Sequence, residues 1–110
     1  MRDDHERLLD IIEAIERIER YAARGRDAFE RDELLQTWVV HHIEILGEAA
    51  RGISEGMRTE HPTIPWREMV AMRNVLAHDY FGIDIERVWT TVEIDLPALK
   101  AKIAAIVEIP

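Results

Sequence analysis

The sequence predicts an all-α fold, most simply an antiparallel four-helix bundle, and three observations carry that expectation. Apolar residues recur at spacings of three and four through four stretches, the period of a helix with a buried face. No segment sustains the alternation that a strand needs, and there are no repeats or low-complexity tracts. The chain has 110 residues, 47% of them hydrophobic and 33% charged, which suits a single folded domain over residues 1–110 with one core.

The first helix is expected from about residue 4 to 23, with Leu8, Ile11, Ile12, Ile15, Ile18 and Ala22 in one stripe. Arg24-Gly25-Arg26 breaks it. Asp27 or Asp32 caps the second helix, expected to reach about residue 53 and to fray onward to 59. That helix is apolar on more than one side and needs partners on two faces, at the centre of a bundle or at a subunit interface. Gly47 in its interior costs about 1 kcal/mol against Ala, and a close helix–helix approach there would offset the cost. Pro62 and Pro65 mark the next boundary, and the third helix is expected from about residue 65 to 79, ending near Gly82. Asp84 caps the last helix, about residues 85 to 107, striped by Ile85, Val88, Val92, Leu96, Leu99, Ile103 and Ile106. Pro97 interrupts it, so a kink or restart is expected near Asp95. A two-faced second helix in so short a chain predicts a homodimer.

Composition narrows the function. Without cysteine there is no disulfide framework and no thiolate metal site, which suits a reducing cytoplasm. Residues 1–20 are studded with charge and read as neither a signal peptide nor a transit sequence. No apolar run approaches the roughly 18–20 residues that span a bilayer. A formal net charge of -8 repels nucleic acid at long range, so work on RNA or DNA needs a local basic patch. The acidic surface serves solubility or a basic partner.

Arg73-Asn74-Val75-Leu76-Ala77-His78-Asp79-Tyr80 places a fixed cation, an amide, an imidazole and a phenol within a short run. Arg grips phosphate bidentately, and His moves a proton near neutral pH. On a regular helix Asn74 and His78 share a face, whereas Arg73 and His78 lie about 140° apart. They converge if the helix end unwinds, if Arg73 reaches around, or if a second subunit completes the site; the last is favoured. The bland alternative is a helix C-terminus at which His78 meets the dipole and Tyr80 packs.

Other candidates are weaker. His41 and His42 point about 100° apart on a helix and do not chelate together. Glu44 pairs by spacing with His41 or Glu48, but the Glu-x-x-His order of di-metal bundles is absent from the two helices it needs, so no metal is assigned. His42 reads as part of a polar stripe or as a border of a nucleic-acid cleft. Arg51, Arg58, Arg67 and Arg73 form a local basic set, interleaved with Glu55, Glu60 and Glu68, and serve as helix pairs or as a phosphate track. Trp38, Trp66 and Trp89 fit core or interface packing better than base stacking.

The run Arg73-x4-His78-x-Tyr80 resembles the signature of the HEPN superfamily, specifically the HepT-like toxins encoded beside a minimal nucleotidyltransferase antitoxin. His42-Ile43-Glu44-Ile45-Leu46-Gly47-Glu48-Ala49-Ala50 is similar to that family's second-helix segment, and His61-Pro62-Thr63-Ile64-Pro65-Trp66 to its loop into the third helix. Tyr80-Phe81-Gly82-Ile83-Asp84 and the segment from Val88 to Pro97 resemble its turn and last helix. The resemblance implies a four-helix bundle dimerised in C2 fashion, with the signature lining a cleft between protomers. It implies a metal-independent ribonuclease in which Arg73 and His78 are catalytic and Asn74 supports them; no cofactor is expected, and His42, Arg51 and Arg67 stand apart from the resemblance as candidate cleft or RNA contacts. It also implies that the antitoxin transfers AMP to Tyr80. A non-enzymatic alternative keeps the same dimer as the nucleotide- or partner-binding subunit of a nucleotidyltransferase complex, and the charge of -8 favours it.

Overall fold

The computed structural model describes residues 2–77 and 84–108, with side chains over 2–72 and 84–108. Among these residues there is no strand. Helix α1 spans Asp4–Ala22, α2 Arg26–Arg31, α3 Glu33–Arg51, α4 Glu55–Glu60, α5 Trp66–Ala77, α6 Ile85–Thr90 and α7 Leu96–Val107, with a π-helical turn, Thr91–Asp95, joining the last two. Four long helical arms, namely α1, α3, α5 and α6–α7, enclose one hydrophobic core, as the all-α expectation requires.

Helix α1 starts in a capping box. The Asp3 carboxylate accepts from the Glu6 backbone N–H at 2.8 Å, and the Glu6 carboxylate accepts from the Asp3 N–H. Its stripe of Leu8, Ile11, Ala14, Ile15 and Ile18 is buried against α3 and α7. Gly25 turns the chain at φ +95°, a left-handed conformation that other residues adopt only with strain. The sequence left two caps open for the second helix, and the structure gives the chain a separate helix between them. Asp32, in an extended conformation, stops α2 and caps α3 by accepting from Leu34 and Leu35 N–H. The Gln36 side-chain amide donates to the carbonyls of Phe29 and Glu30, closing the end of α2.

The expected fray past residue 53 is instead an independent helix. Ser54 caps α4 through Met57 N–H, and Asp4 of α1 holds Ser54 by accepting from its N–H and its hydroxyl. These two hydrogen bonds, the hydroxyl's first, pull the Asp4 carboxyl below its ordinary pKa. Arg58 of α4 folds back and donates to the carbonyls of Ala50 (2.9 Å), Arg51 and Ile53 at the end of α3. A cation placed there also meets the negative end of the α3 dipole.

The last arm resolves the Pro97 problem by changing register. Pro97 has no N–H to donate, and an α-helical turn would drive its ring into the Glu93 carbonyl. The chain passes through a π-helical turn instead, with Leu96 N–H donating to the Thr91 carbonyl, and resumes as α7. Asp84 caps α6 through Arg87 N–H, as expected. Lys100 of α7 pairs with Glu19 of α1 at 2.8 Å, and Arg26 bridges Glu30 of α2 and Glu86 of α6.

Helix α3 is the hub, packed against α1, α2, α5 and α6. Gly47 is buried where it meets α5, and a Cβ added there would stand 3.2 Å from the Met69 carbonyl oxygen. Alanine at this point gains about 1 kcal/mol in helix propensity but must push back a backbone carbonyl, an overpacking cost of about 1–3 kcal/mol. Gly47→Ala is therefore expected to lower the unfolding free energy by about 1 kcal/mol net, reading as a melting temperature lower by about 4 °C. A melting temperature raised by this substitution would mean that α5 does not press on α3 there.

Candidate functional site

Helix α5 carries the beginning of the signature. Pro65 precedes it, Trp66 is buried and donates its indole N–H to the His61 carbonyl at 3.0 Å, and Met69 is fully buried against Gly47. These anchors fix the helix that bears Arg73 and Asn74 in its last turns. The side chains of Arg73 and Asn74, and all of His78, Asp79 and Tyr80, lie outside the described residues. The expected convergence of Arg73 and His78 lies outside them too.

A groove of about 530 Å³ opens between α5 and the last arm. Met69, Met72 and Leu99 give it an apolar floor, Ile94 stands 61% exposed on its wall, and Glu68 of α5 and Arg87, Asp95 and Lys102 of the last arm line it with charge. The sequence reading missed it. The only signal was Ile94, an apolar residue off the stripe of its helix, and the π-turn that turns it outward is a consequence of Pro97.

The basic set does not behave as one track. Arg58 is turned to capping α3, with its Nε and Nη2 donors already on carbonyls. Arg51 is exposed at the end of α3 with a loose pair to Glu48 at 3.8 Å, and Arg67 is exposed in the first turn of α5. Both keep freedom to reach an anion.

His42 is buried at 4% exposure. Its Nδ1–H donates to the Trp38 carbonyl at 2.8 Å and its ring lies 4.3 Å from the Trp38 ring. Burial pushes its pKa below the ordinary histidine value, against the pull of that hydrogen bond, and nearby His41 and Arg17 push the same way. At neutral pH it is an uncharged packing residue, and it offers an RNA phosphate no cation. His41 is exposed, with its ring perpendicular to that of His42 at 5.1 Å, in keeping with the divergence of neighbours on a helix. His41 and Glu44 line a shallow groove with Arg7 and Asp10, but among the described residues no three His, Asp or Glu groups gather in a way that could hold a metal ion.

The tryptophans pack, as expected. Trp38 donates to the Arg17 carbonyl at 2.9 Å and meets Tyr21 edge to face. Trp89 is buried against Phe29, and its indole N–H has no partner among the described residues. No helix of the described residues is long and apolar enough to cross a membrane.

Comparison with known proteins gives this helical scaffold a family. Residues 11–106 match the family described as ribonuclease HepT-like. A protein of Thermococcus cleftensis named "probable ribonuclease HepT" is 45% identical over 96 residues, covering 86% of this chain and 87% of its own. A Methanocaldococcus jannaschii protein named "gamma-glutamylcyclotransferase and putative RNase" is 39% identical over 99 residues, 89% of this chain but 45% of its own length. A second protein of that organism, named as an RNase in the same terms, is 40% identical over 75 residues, 68% of this chain and 69% of its own. No solved structure matches the chain significantly. A match over nearly the whole chain, on an all-helical scaffold with Arg73-x4-His78-x-Tyr80 inside the matched span, leads to one conclusion: the chain belongs to the HepT-like ribonuclease family.

Proposed function

We propose that the protein is a metal-independent endoribonuclease, the toxin of a two-gene toxin–antitoxin module, acting in the cytoplasm as a C2 homodimer. Residues 1–110 form its one domain. The observation that carries this reading is the run from Arg73 to Tyr80, with its spacing intact, inside the span that matches the ribonuclease HepT-like family. The catalytic pair is Arg73 and His78, with Asn74 supporting them, and no metal or cofactor enters the reaction.

The chemistry follows from the residue types. The 2′-hydroxyl of RNA attacks the adjacent phosphorus, a base removes its proton, and an acid protonates the departing 5′-oxygen. A C2 dimer brings two copies of His78 to one cleft, one for each side, and each proton transfer contributes roughly 10²–10⁴-fold. Arg73 steadies the equatorial oxygens as charge builds on them. Arg51 and Arg67, exposed at the ends of α3 and α5, are available to neighbouring phosphates, at short range where the charge of -8 does not decide binding.

Tyr80 is the switch. A partner nucleotidyltransferase, the antitoxin, transfers AMP from ATP to its hydroxyl, the phenol oxygen displacing pyrophosphate from the α-phosphorus and giving up its proton, and the added anionic group fills the cleft and repels the RNA backbone. The second reading, a non-catalytic subunit that holds a nucleotide or its nucleotidyltransferase partner, draws support from the same charge of -8.

Purified protein is expected to cleave RNA in EDTA, and His78→Ala to lose that activity by at least the factor of about 10² that one proton transfer contributes. Full activity in His78→Ala would overturn the mechanism, and saturable ATP or AMP binding without cleavage would favour the second reading. Co-expression with the nucleotidyltransferase encoded beside the gene is expected to add one AMP, seen in the intact mass and mapped to Tyr80. An unmodified chain, or AMP on another residue, would remove Tyr80 from the switch.

A further inference from the structure

We propose that the corner where α1, α2 and α3 meet is a second RNA-holding site, which takes an unpaired base against Tyr21, Leu34 and Trp38 and the neighbouring phosphates on Arg20, Arg24 and Arg31. The proposal rests on the ribonuclease reading and deepens it, by assigning single-stranded RNA as the form of substrate held outside the signature.

The corner contains an open cup of about 220 Å³ lined by Tyr21, Arg24, Asp32, Leu34, Leu35 and Trp38. Leu34 is 82% exposed, more than any other large apolar side chain among the described residues, although it sits in the first turn of a capped helix. A leucine so placed does nothing for the core. Trp38 beside it is pinned: its N–H is bound to the Arg17 carbonyl, its edge meets Tyr21 at 5.0 Å, and the His42 ring lies against it. A rigid aromatic wall loses little side-chain freedom when a flat base packs on it. The Arg24 guanidinium lies over the Tyr21 ring at 5.4 Å, a planar cation at the same cup.

Charge makes the corner an exception on this chain. Most of its acids are occupied: Glu13 with Arg17 at 2.9 Å, Glu16 and Glu19 with Lys100, Glu30 with Arg26, and Asp32 in the α3 cap. Arg20, Arg24 and Arg31 are exposed and have no ion pair among the described residues, with Asp27 and Glu33 the acids left beside them. Arg20 stands in the last turn of α1 and Arg24 in the turn just past its Ala23 cap, so the two are separate anchor points at this corner. Aromatic wall, exposed leucine and unpaired arginines together are the elements of a stacking platform with phosphate anchors.

The test uses the whole protein with a fluorescein-labelled, mixed-sequence single-stranded RNA. Leu34→Glu is expected to raise KM for its cleavage about tenfold, the effect of removing one stacked base, and to act on KM rather than kcat. The triple change Arg20→Ala, Arg24→Ala, Arg31→Ala is expected to weaken binding and to flatten its salt dependence by about one unit of log–log slope for each phosphate no longer neutralised. Leu9→Glu, which places the same charge on another exposed leucine, is expected to leave KM in place. Wild-type protein that cuts this RNA while both corner variants keep its KM and salt slope would overturn the second site alone. Dissociation of a dimer by Leu34→Glu would assign the cup to a second copy of the chain and overturn it too. Wild-type protein that neither cuts nor binds the RNA would overturn the ribonuclease reading together with it.

Discussion

The contact between Gly47 and the Met69 carbonyl is the constraint from which the functional geometry follows. At 3.2 Å from the place where a Cβ would stand, the backbone of α5 comes nearer to α3 than an ordinary side-chain contact allows. Helix α3 is also the element that touches α1, α2 and α6, so the position of α5 is referred to the whole core through one close crossing. Arg73 and Asn74 ride on the far end of α5, beyond the buried anchors Trp66 and Met69. The scaffold thus holds the start of the signature from one side and leaves a groove on the other, where Ile94 stands exposed and Met72 is only partly covered among the described residues.

The stretches legible in the sequence were those set by local chemistry. The apolar stripe of α1, the cap at Asp84 and the disturbance at Pro97 each follow from a few neighbouring residues, and each is found. Gly47 was legible because glycine in a helix interior has a cost that only tertiary packing offsets. What failed depended on distant partners. Two aspartates offered equal caps, and the separate helix between them is closed by Gln36 from the next one. Helix α4 read as fraying because Ser54 is fixed by Asp4, fifty positions away. Arg58 read as a helix ion pair or part of a phosphate track because nothing local shows that the end of α3 comes within its reach.

The candidate site divides along the same line. The spacing of Arg73, His78 and Tyr80 is written in the chain, and it is this spacing, within the family match, that supports the ribonuclease reading. His42 read as part of a polar stripe or as a border of a nucleic-acid cleft, and its burial against Trp38 was not legible because it comes from the fold rather than from its neighbours in sequence. The cup at Tyr21 and Trp38 was invisible for the converse reason: Leu34 looks like one more apolar residue of a two-faced helix until the structure leaves it in solvent. Net charge was equally misleading as an average. A chain of charge -8 still exposes unpaired guanidinium groups wherever its carboxylates are tied to other partners.

Arg73 and His78 diverge on a regular helix, and a composite cleft removes that conflict by taking the two from different protomers. Mixed dimers, each built from one Arg73→Ala and one His78→Ala protomer, measure this directly. In one composite cleft the mixed dimer still places one Arg73 and one His78, from different protomers, where each mutant homodimer lacks one of the two residues altogether, so the mixed dimer is predicted to cleave RNA above either mutant homodimer. A mixed dimer no more active than the homodimers, formed from protomers that are folded and dimeric, would contradict the composite cleft and return both residues to a single chain.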